Sequence, residues 1–256
     1  MAPLGWGAFV FVANFFYNIP IMHRFFLDQN LDTEIIAVKD RALVHQMKSV
    51  LRIRKGEMVA FFNDRPDHVG FDVIAELKNI EGSAAVFMVR DRKENTRESS
   101  KRVVLFQSLI KKENFEWVLQ HGTEIGISEF VPITSARSEK KSIQRTRCEK
   151  ILREAAEQSG RAFVPKLHEV MPFEKATELA KLIGGRTYVA YEGEHDTRLH
   201  GGGDKSINLF IGPEGGWEDK EIFAAHRANF ITVSLGRLTL RAETAALVAS
   251  YALLWI

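Results

Sequence analysis

The chain has 256 residues, 45% of them hydrophobic and 27% charged, with a net charge of +2 and a pI near 8.6. This is ordinary globular composition, long enough for one large or two ordinary domains and for a core without covalent staples. A single cysteine, Cys148, excludes an intramolecular disulfide framework and a Cys-rich zinc site and points to a reducing, cytoplasmic setting.

Residues 1–22 carry no charge and are long enough for a bilayer span of roughly 20 residues. Pro3, Gly5, Gly7, Asn14, Asn18 and Pro20 interrupt any continuous apolar helix, and no basic n-region or A-x-A pattern marks a signal peptide. Residues 1–21 therefore read as an apolar extension, non-native or disordered, with the folded unit starting at Met22. A membrane anchor is the alternative, and apart from it no membrane partner is expected.

Residues 22–92 read as a small β-rich unit. Met58–Phe62, Gly70–Leu77 and Ala84–Val89 are β-type runs, Asn63-Asp-Arg-Pro is a turn, and a helix covers about Arg41–Val50. Several short strands predict a small barrel. The charged run Asp91–Arg102 has no apolar residue, which predicts a linker, placed at 93–102.

From Val103 strands alternate with helices. Strands are expected at 103–110, 130–134, 164–170, 187–191, 207–211 and 231–235, and helices at 113–125, 145–159, 173–183, 218–228 and 242–255. This order predicts an α/β fold with a mostly parallel sheet covered on both faces. The last helix is apolar nearly all round, which predicts burial on all sides, either in the core or shared with a subunit interface.

Three segments near the carboxyl end bear on chemistry: Tyr191-Glu192-Gly193-Glu194, Ile211-Gly212-Pro213-Glu214-Gly215-Gly216, and Leu235-Gly236-Arg237-Leu238-Thr239-Leu240-Arg241. Each follows a predicted strand, so a parallel sheet sets all three on one edge, where open α/β sheets bind ligands. Glycine permits positive φ and close backbone approach, and proline fixes one φ. A phosphate cradle would not usually hold a carboxylate such as Glu214, so a neutral or cationic small molecule fits better. Gly201-Gly-Gly follows a polar stretch and is a weak phosphate candidate. The eight histidines show no metal-ligand spacing, and no metal is expected. A Rossmann oxidoreductase is disfavoured because no G-x-G-x-x-G follows the first strand of a βαβ unit.

Gly212-Pro-Glu-Gly-Gly, Leu235-Gly, Leu240-Arg and Glu243-Thr-Ala resemble the RsmE family of 16S ribosomal RNA uridine-N3 methyltransferases, in the SPOUT superfamily. So do Glu124-Ile-Gly, Arg137-Ser, Glu154-Ala-Ala-Glu-Gln-Ser-Gly-Arg161 with Val164-Pro, Met22-His-Arg-Phe-Phe-Leu, and His45 with Val50-Leu-Arg. The resemblance covers Met22 to Ile256. It departs at Leu238, where the family commonly has arginine and this chain has Arg237 one place earlier.

The resemblance implies a trefoil-knotted methyltransferase domain over 103–256, a PUA-like RNA-binding barrel over 22–92, a homodimer formed through the knotted domain, and S-adenosylmethionine as methyl donor. The substrate implied is one uridine of 16S ribosomal RNA within the 30S subunit. The alternatives are a SPOUT enzyme acting on another RNA and an RNA-binding module without catalysis. The expected donor-binding residues are Tyr191, Glu192, Ile211, Gly212, Pro213, Glu214, Gly215, Gly216, Leu235, Gly236, Leu238 and Leu240, with Glu214 expected to hold the loop. Uridine N3 must lose a proton, so a basic group or an arginine facing the uracil anion helps. Arg161 and Arg241 are the first catalytic candidates and Arg137 the third; phosphate contact or ion pairing is the plainer role for each. Lys48, Arg52, Arg54, Lys140 and Lys141 are the expected RNA contacts, with solvated surface charge as the alternative.

Overall fold

Short apolar runs punctuated by turns build the first sheet of the computed structural model, which describes residues 22–256 apart from 67 and 201. The reading of 1–21 lies outside the described residues. The strands are β1 (Arg24–Phe26), β2 (Ile35–Val38), β3 (Met58–Phe62), β4 (Phe71–Glu81) and β5 (Ala84–Glu94). Helix α1 (Arg41–His45) runs into a π-helical turn at Gln46–Val50. The Asp40 carboxylate starts α1 by accepting from the Leu43 N–H.

The strand order is β1-β3-β4-β5-β2, with β1 parallel to β3 and the other pairs antiparallel. A closed barrel, expected from the strand pattern, is corrected here: β1 and β2 are the two edges of an open mixed sheet. They span only three and four residues, too few ladder groups to close a circuit. β5 also continues to Glu94 because Asp91–Glu94 pair with Ile74–Phe71. Ladder bonds are made by the backbone and do not register that the side chains are charged.

The second sheet is wholly parallel. In chain order its elements are β6 (Arg102–Ser108), α2 (Lys112–Ile125), β7 (Glu129–Thr134), α3 (Arg145–Ser159), β8 (Lys166–Leu167), β9 (Met171–Pro172), α4 (Phe173–Ile183), β10 (Arg186–Ala190), β11 (Ser206–Ile211), α5 (Asp219–Arg227), β12 (Ile231–Val233) and α6 (Ala242–Trp255). The strand order is β12-β10-β11-β6-β7-β8, with β9 also on β7. The expected strand at 164–170 reduces to the two short pieces β8 and β9.

Burial on both faces explains the apolar central strands. Val103 and Leu105 of β6 join the core under α2, α3 and α6, whereas Val104 and Phe106 join the core under α4 and α5. Phe106 stacks on Phe210 with ring centroids 4.3 Å apart. Helix α6 buries Ala245, Ala246, Ala249, Leu253 and Leu254 in the first core, but Val248, Tyr251 and Trp255 remain about half exposed. The expectation of burial on all sides is thus corrected for the single chain: α6 has one apolar face outward. Among the described residues no helix is long and apolar enough to cross a membrane.

Candidate active site

β12, β10 and β11 are neighbours and parallel, so the chain leaves all three at one edge of the sheet. The segments Tyr191–Glu194, Gly212–Gly216 and Leu235–Arg241 follow these strands directly and stand side by side. The Tyr191 N–H donates to the Val233 carbonyl at 3.0 Å. The Trp217 indole N–H donates to the Ala190 carbonyl at 2.9 Å. The first and second loops are therefore fixed to their neighbours by backbone acceptors.

The Gly212–Gly216 turn closes through the Gly216 N–H on the Pro213 carbonyl at 2.9 Å. Gly216 has φ +69°, the left-handed region. A Cβ there would stand 2.8 Å from the Glu192 Oε1, and a Cβ on Gly212 would stand 3.1 Å from the Trp217 ring. Backbone conformation favours glycine at 216, where a Cβ would also push the end of the Glu192 side chain aside, and close packing on the Trp217 ring favours it at 212.

Two more loops join from the middle of the sheet. Arg137, after β7, donates from Nη1 to the Gly215 carbonyl at 2.7 Å. Lys111, just before α2, donates its backbone N–H to the Glu214 Oε1 at 3.3 Å. Glu214 is exposed and bridges its loop to the amino end of α2, where a carboxylate suits the helix dipole.

Glu194 is held well below the usual carboxylate range, at about 2, by the Thr197 and Asp196 N–H groups and the Thr232 hydroxyl. It stays charged and folds the β10 loop back on itself. In the third loop Leu235 and Leu240 pack on the core, and Gly236 has φ +132° with open space on its Cβ side. The Arg241 carbonyl accepts from the Ala245 N–H at 2.8 Å and opens α6, its side chain exposed. In the first turn of α6 the Glu243 Oε2 is buried without a protein donor.

Of the expected site residues, Tyr191, Glu192, Ile211, Gly212–Gly216, Leu235, Gly236, Leu240, Arg137 and Arg241 share this edge. Ile211 is 2% exposed and belongs to the core beneath the loops. Leu238 is 81% exposed. Lys140 and Lys141 are exposed on the Arg137 loop, whereas Lys48, Arg52 and Arg54 are exposed on the first sheet's side.

Arg161 is the clear correction. It is 5% exposed and lies at the opposite edge, where β7 begins. Its Nη1 donates to the Thr123 and Ile127 carbonyls at 2.7 and 3.0 Å, and its Nε to Glu98 at 2.8 Å. A buried guanidinium needs such compensation, and this network keeps it out of the pocket.

The sequence reading missed Trp217 and Glu221. Glu221 is 3% exposed. Its Oε1 accepts from the Ala136 N–H at 3.0 Å and its Oε2 from the Glu218 N–H at 2.9 Å. It therefore ties the Arg137 loop to α5. The spacing Glu218-x-x-Glu221 is that of a capping box and was the available signal. Cys148 is buried, and burial pushes its thiol up, which keeps it protonated and unreactive. Among the described residues no group of His, Cys, Asp and Glu is arranged to hold a metal.

A family model described as an RNA methyltransferase domain matches residues 97–254. The ribosomal RNA small subunit methyltransferase E of Bacillus subtilis (strain 168) is 31% identical over 223 residues, covering 80% of this chain and 84% of that one. That of Synechocystis sp. is 33% identical over 220 residues, covering 81% and 69%. Among solved structures, the ribosomal RNA small subunit methyltransferase E of Neisseria gonorrhoeae bound to S-adenosyl methionine superposes with a TM-score of 0.80 at 29% identity, covering 90% of this chain and 96% of that one. With the loops after β10, β11 and β12 in place and these matches spanning most of the chain, it belongs to the ribosomal RNA small subunit methyltransferase E family.

Proposed function

We propose that the chain transfers a methyl group from S-adenosylmethionine to N3 of one uridine in 16S ribosomal RNA of the 30S subunit. The observation that carries this reading is the cradle of Gly212–Gly216 flanked by Tyr191–Glu192 and Leu235–Leu240 on adjacent strands.

The donor fits these residues on three counts. Backbone N–H and C=O groups at Gly212–Gly216 can read an adenine edge without side chains. Leu235 and Leu240 offer apolar surface beside the open space at Gly236. Glu243 and Glu214 supply acceptors rather than the cations a phosphate would need. When bound, the donor supplies an electrophilic methyl group on a sulfonium.

The chain's own part is orientation and charge. Arg137 is fixed through one nitrogen to the Gly215 carbonyl, and its remaining N–H groups are free to face the uracil oxygens. They stabilise the negative charge that develops as the N3 proton leaves. Arg241 stands at the amino end of α6, where the helix dipole adds positive partial charge. Holding donor and acceptor in line is the larger part of the rate.

In this reading 103–256 is a trefoil-knotted catalytic domain, 93–102 a connector, and 22–92 a PUA-like unit that presents Lys48, Arg52 and Arg54 to RNA. Lys140 and Lys141 take phosphates near the pocket. The outward apolar residues Val248, Tyr251 and Trp255 of α6 support a homodimer through the catalytic domain, working on ribosomal subunits in the cytoplasm.

The test incubates the purified chain with labelled S-adenosylmethionine and 30S subunits from a strain lacking the modification, then digests the RNA to nucleosides. 3-Methyluridine confined to 16S RNA is expected. Bound donor with no labelled 3-methyluridine refutes the substrate.

A further inference from the structure

A cavity of about 850 Å³ lies away from the glycine cradle. It opens at the opposite edge of the parallel sheet, where β6, β7 and β8 begin, and its far wall comes from the first sheet through Phe26, Asp64 and Val69. Nothing in the methyl-transfer chemistry uses it.

The carboxylates that line it are committed. Glu98 accepts from the Arg161 Nε at 2.8 Å and the Ala162 N–H at 2.8 Å. Glu129 accepts from the His168 Nε2 at 2.6 Å and is paired with Arg102. Glu149 pairs with Arg145 at 2.8 Å. Asp64 accepts from the Val164 N–H at 2.9 Å. The cations are not all committed. Lys101 and Lys166 line the groove and have no carboxylate at ion-pair distance among the described residues, whereas the charge of Arg153 is shared with Asp64 and Glu157. Arg153 lies 4.7 Å from the Phe26 ring centroid, and Phe163, with the Arg161 guanidinium 4.9 Å from its ring centroid, adds a second aromatic wall.

The groove is also held in shape. The Arg24 guanidinium crosses the junction to the Ala156 and Arg161 carbonyls at 3.2 and 2.8 Å while pairing with Asp72 at 2.6 Å. In return Glu157 of α3 accepts from the Phe26 N–H at 2.8 Å. Spare positive charge with aromatic walls in a fixed trough is what a flexible polyanion carrying flat rings requires.

We propose that this groove binds a single-stranded stretch of the RNA substrate, with phosphates on Lys101 and Lys166 and a base against Phe163. The proposal rests on the RNA methyltransferase reading and adds a second contact region away from the methyl-donor edge.

The test is the double variant Lys101→Glu/Lys166→Glu, assayed for 30S binding across a salt series and for methylation kinetics. KM for 30S should rise at least tenfold, with the rate at saturating 30S, the donor affinity and Tm unchanged. The slope of log K against log salt should flatten by about 1 to 2. The control Lys175→Glu/Lys181→Glu makes the same charge change on exposed positions of α4 and should leave KM within twofold. Phe163→Leu should weaken binding at least fivefold, as loss of one stacked base does at about 1 kcal/mol. An unchanged KM and slope in the groove variant, or an equal loss in the control, overturns the groove. If the wild-type chain binds the donor but methylates no 30S RNA, the substrate reading fails instead, and the two failures are distinguishable.

Discussion

Arg137 reaches the Gly215 carbonyl at 2.7 Å from the loop after β7, so a catalytic candidate and the cofactor cradle share a hydrogen bond. Arg137→Ala should lower single-turnover methylation by about 10²-fold, the scale of one lost electrostatic stabiliser. Donor affinity should change less than tenfold, and Tm by no more than a degree or two, because the side chain is exposed. Rapid-quench assays beside calorimetry separate these effects. A rate within twofold of wild type would remove Arg137 from the mechanism.

Gly216→Val tests the cradle. The replacement must adopt φ near +69° and clear a Glu192 oxygen 2.8 Å from its Cβ. A left-handed conformation costs a non-glycine residue about 1–2 kcal/mol, and β-branching adds to that. Calorimetry should find donor affinity reduced at least tenfold, about 1.4 kcal/mol, with the fold intact by circular dichroism.

Arg161→Met separates structure from catalysis at the junction. It leaves Glu98 partly buried with the Ala162 N–H but no cation, and breaking such a pair costs about 3–5 kcal/mol. Tm should fall by roughly 6–20 °C, while donor affinity measured well below that temperature should stay within threefold of wild type. A variant of normal Tm without activity would restore Arg161 as a catalytic residue.

Glu129 predicts an acid response. Burial pushes its carboxyl up, but hydrogen bonds from His168 and Arg102 outweigh this and hold it at about 2. A depressed folded pKa stabilises the protein above the ordinary carboxyl value and stops doing so as pH falls. The contribution, up to about 3 kcal/mol, is complete above about pH 4.5 and fades between there and about pH 2. Glu129→Gln should lose most of it at neutral pH and flatten the decline in acid, as read by urea unfolding at a series of pH values.

Much of this was legible from residue order. The alternation after Val103 placed β6, β7, β10, β11 and the helices because two-sided burial writes apolar runs into each strand. The three carboxyl-edge loops followed from parallel pairing alone. Arg161 was misread because its partner Glu98 stands 63 positions away in a charged stretch that resembles solvated linker, and burial of an ion pair leaves no periodic mark. Arg24 and Asp72 were missed for the same reason. The extent of β4 and β5 was underestimated because their outer halves pair through backbone while exposing charge. The open first sheet depends on how two short edges meet, which composition does not encode.

The turn at Gly212–Gly216 is held by Arg137, by Lys111 and by its own Gly216–Pro213 bond. A loop braced at three points gives up little freedom on association. The methyl donor should therefore enter at a rate set by access rather than by rearrangement. Substitutions that loosen the cradle should shorten the donor's residence time while leaving its arrival nearly unchanged.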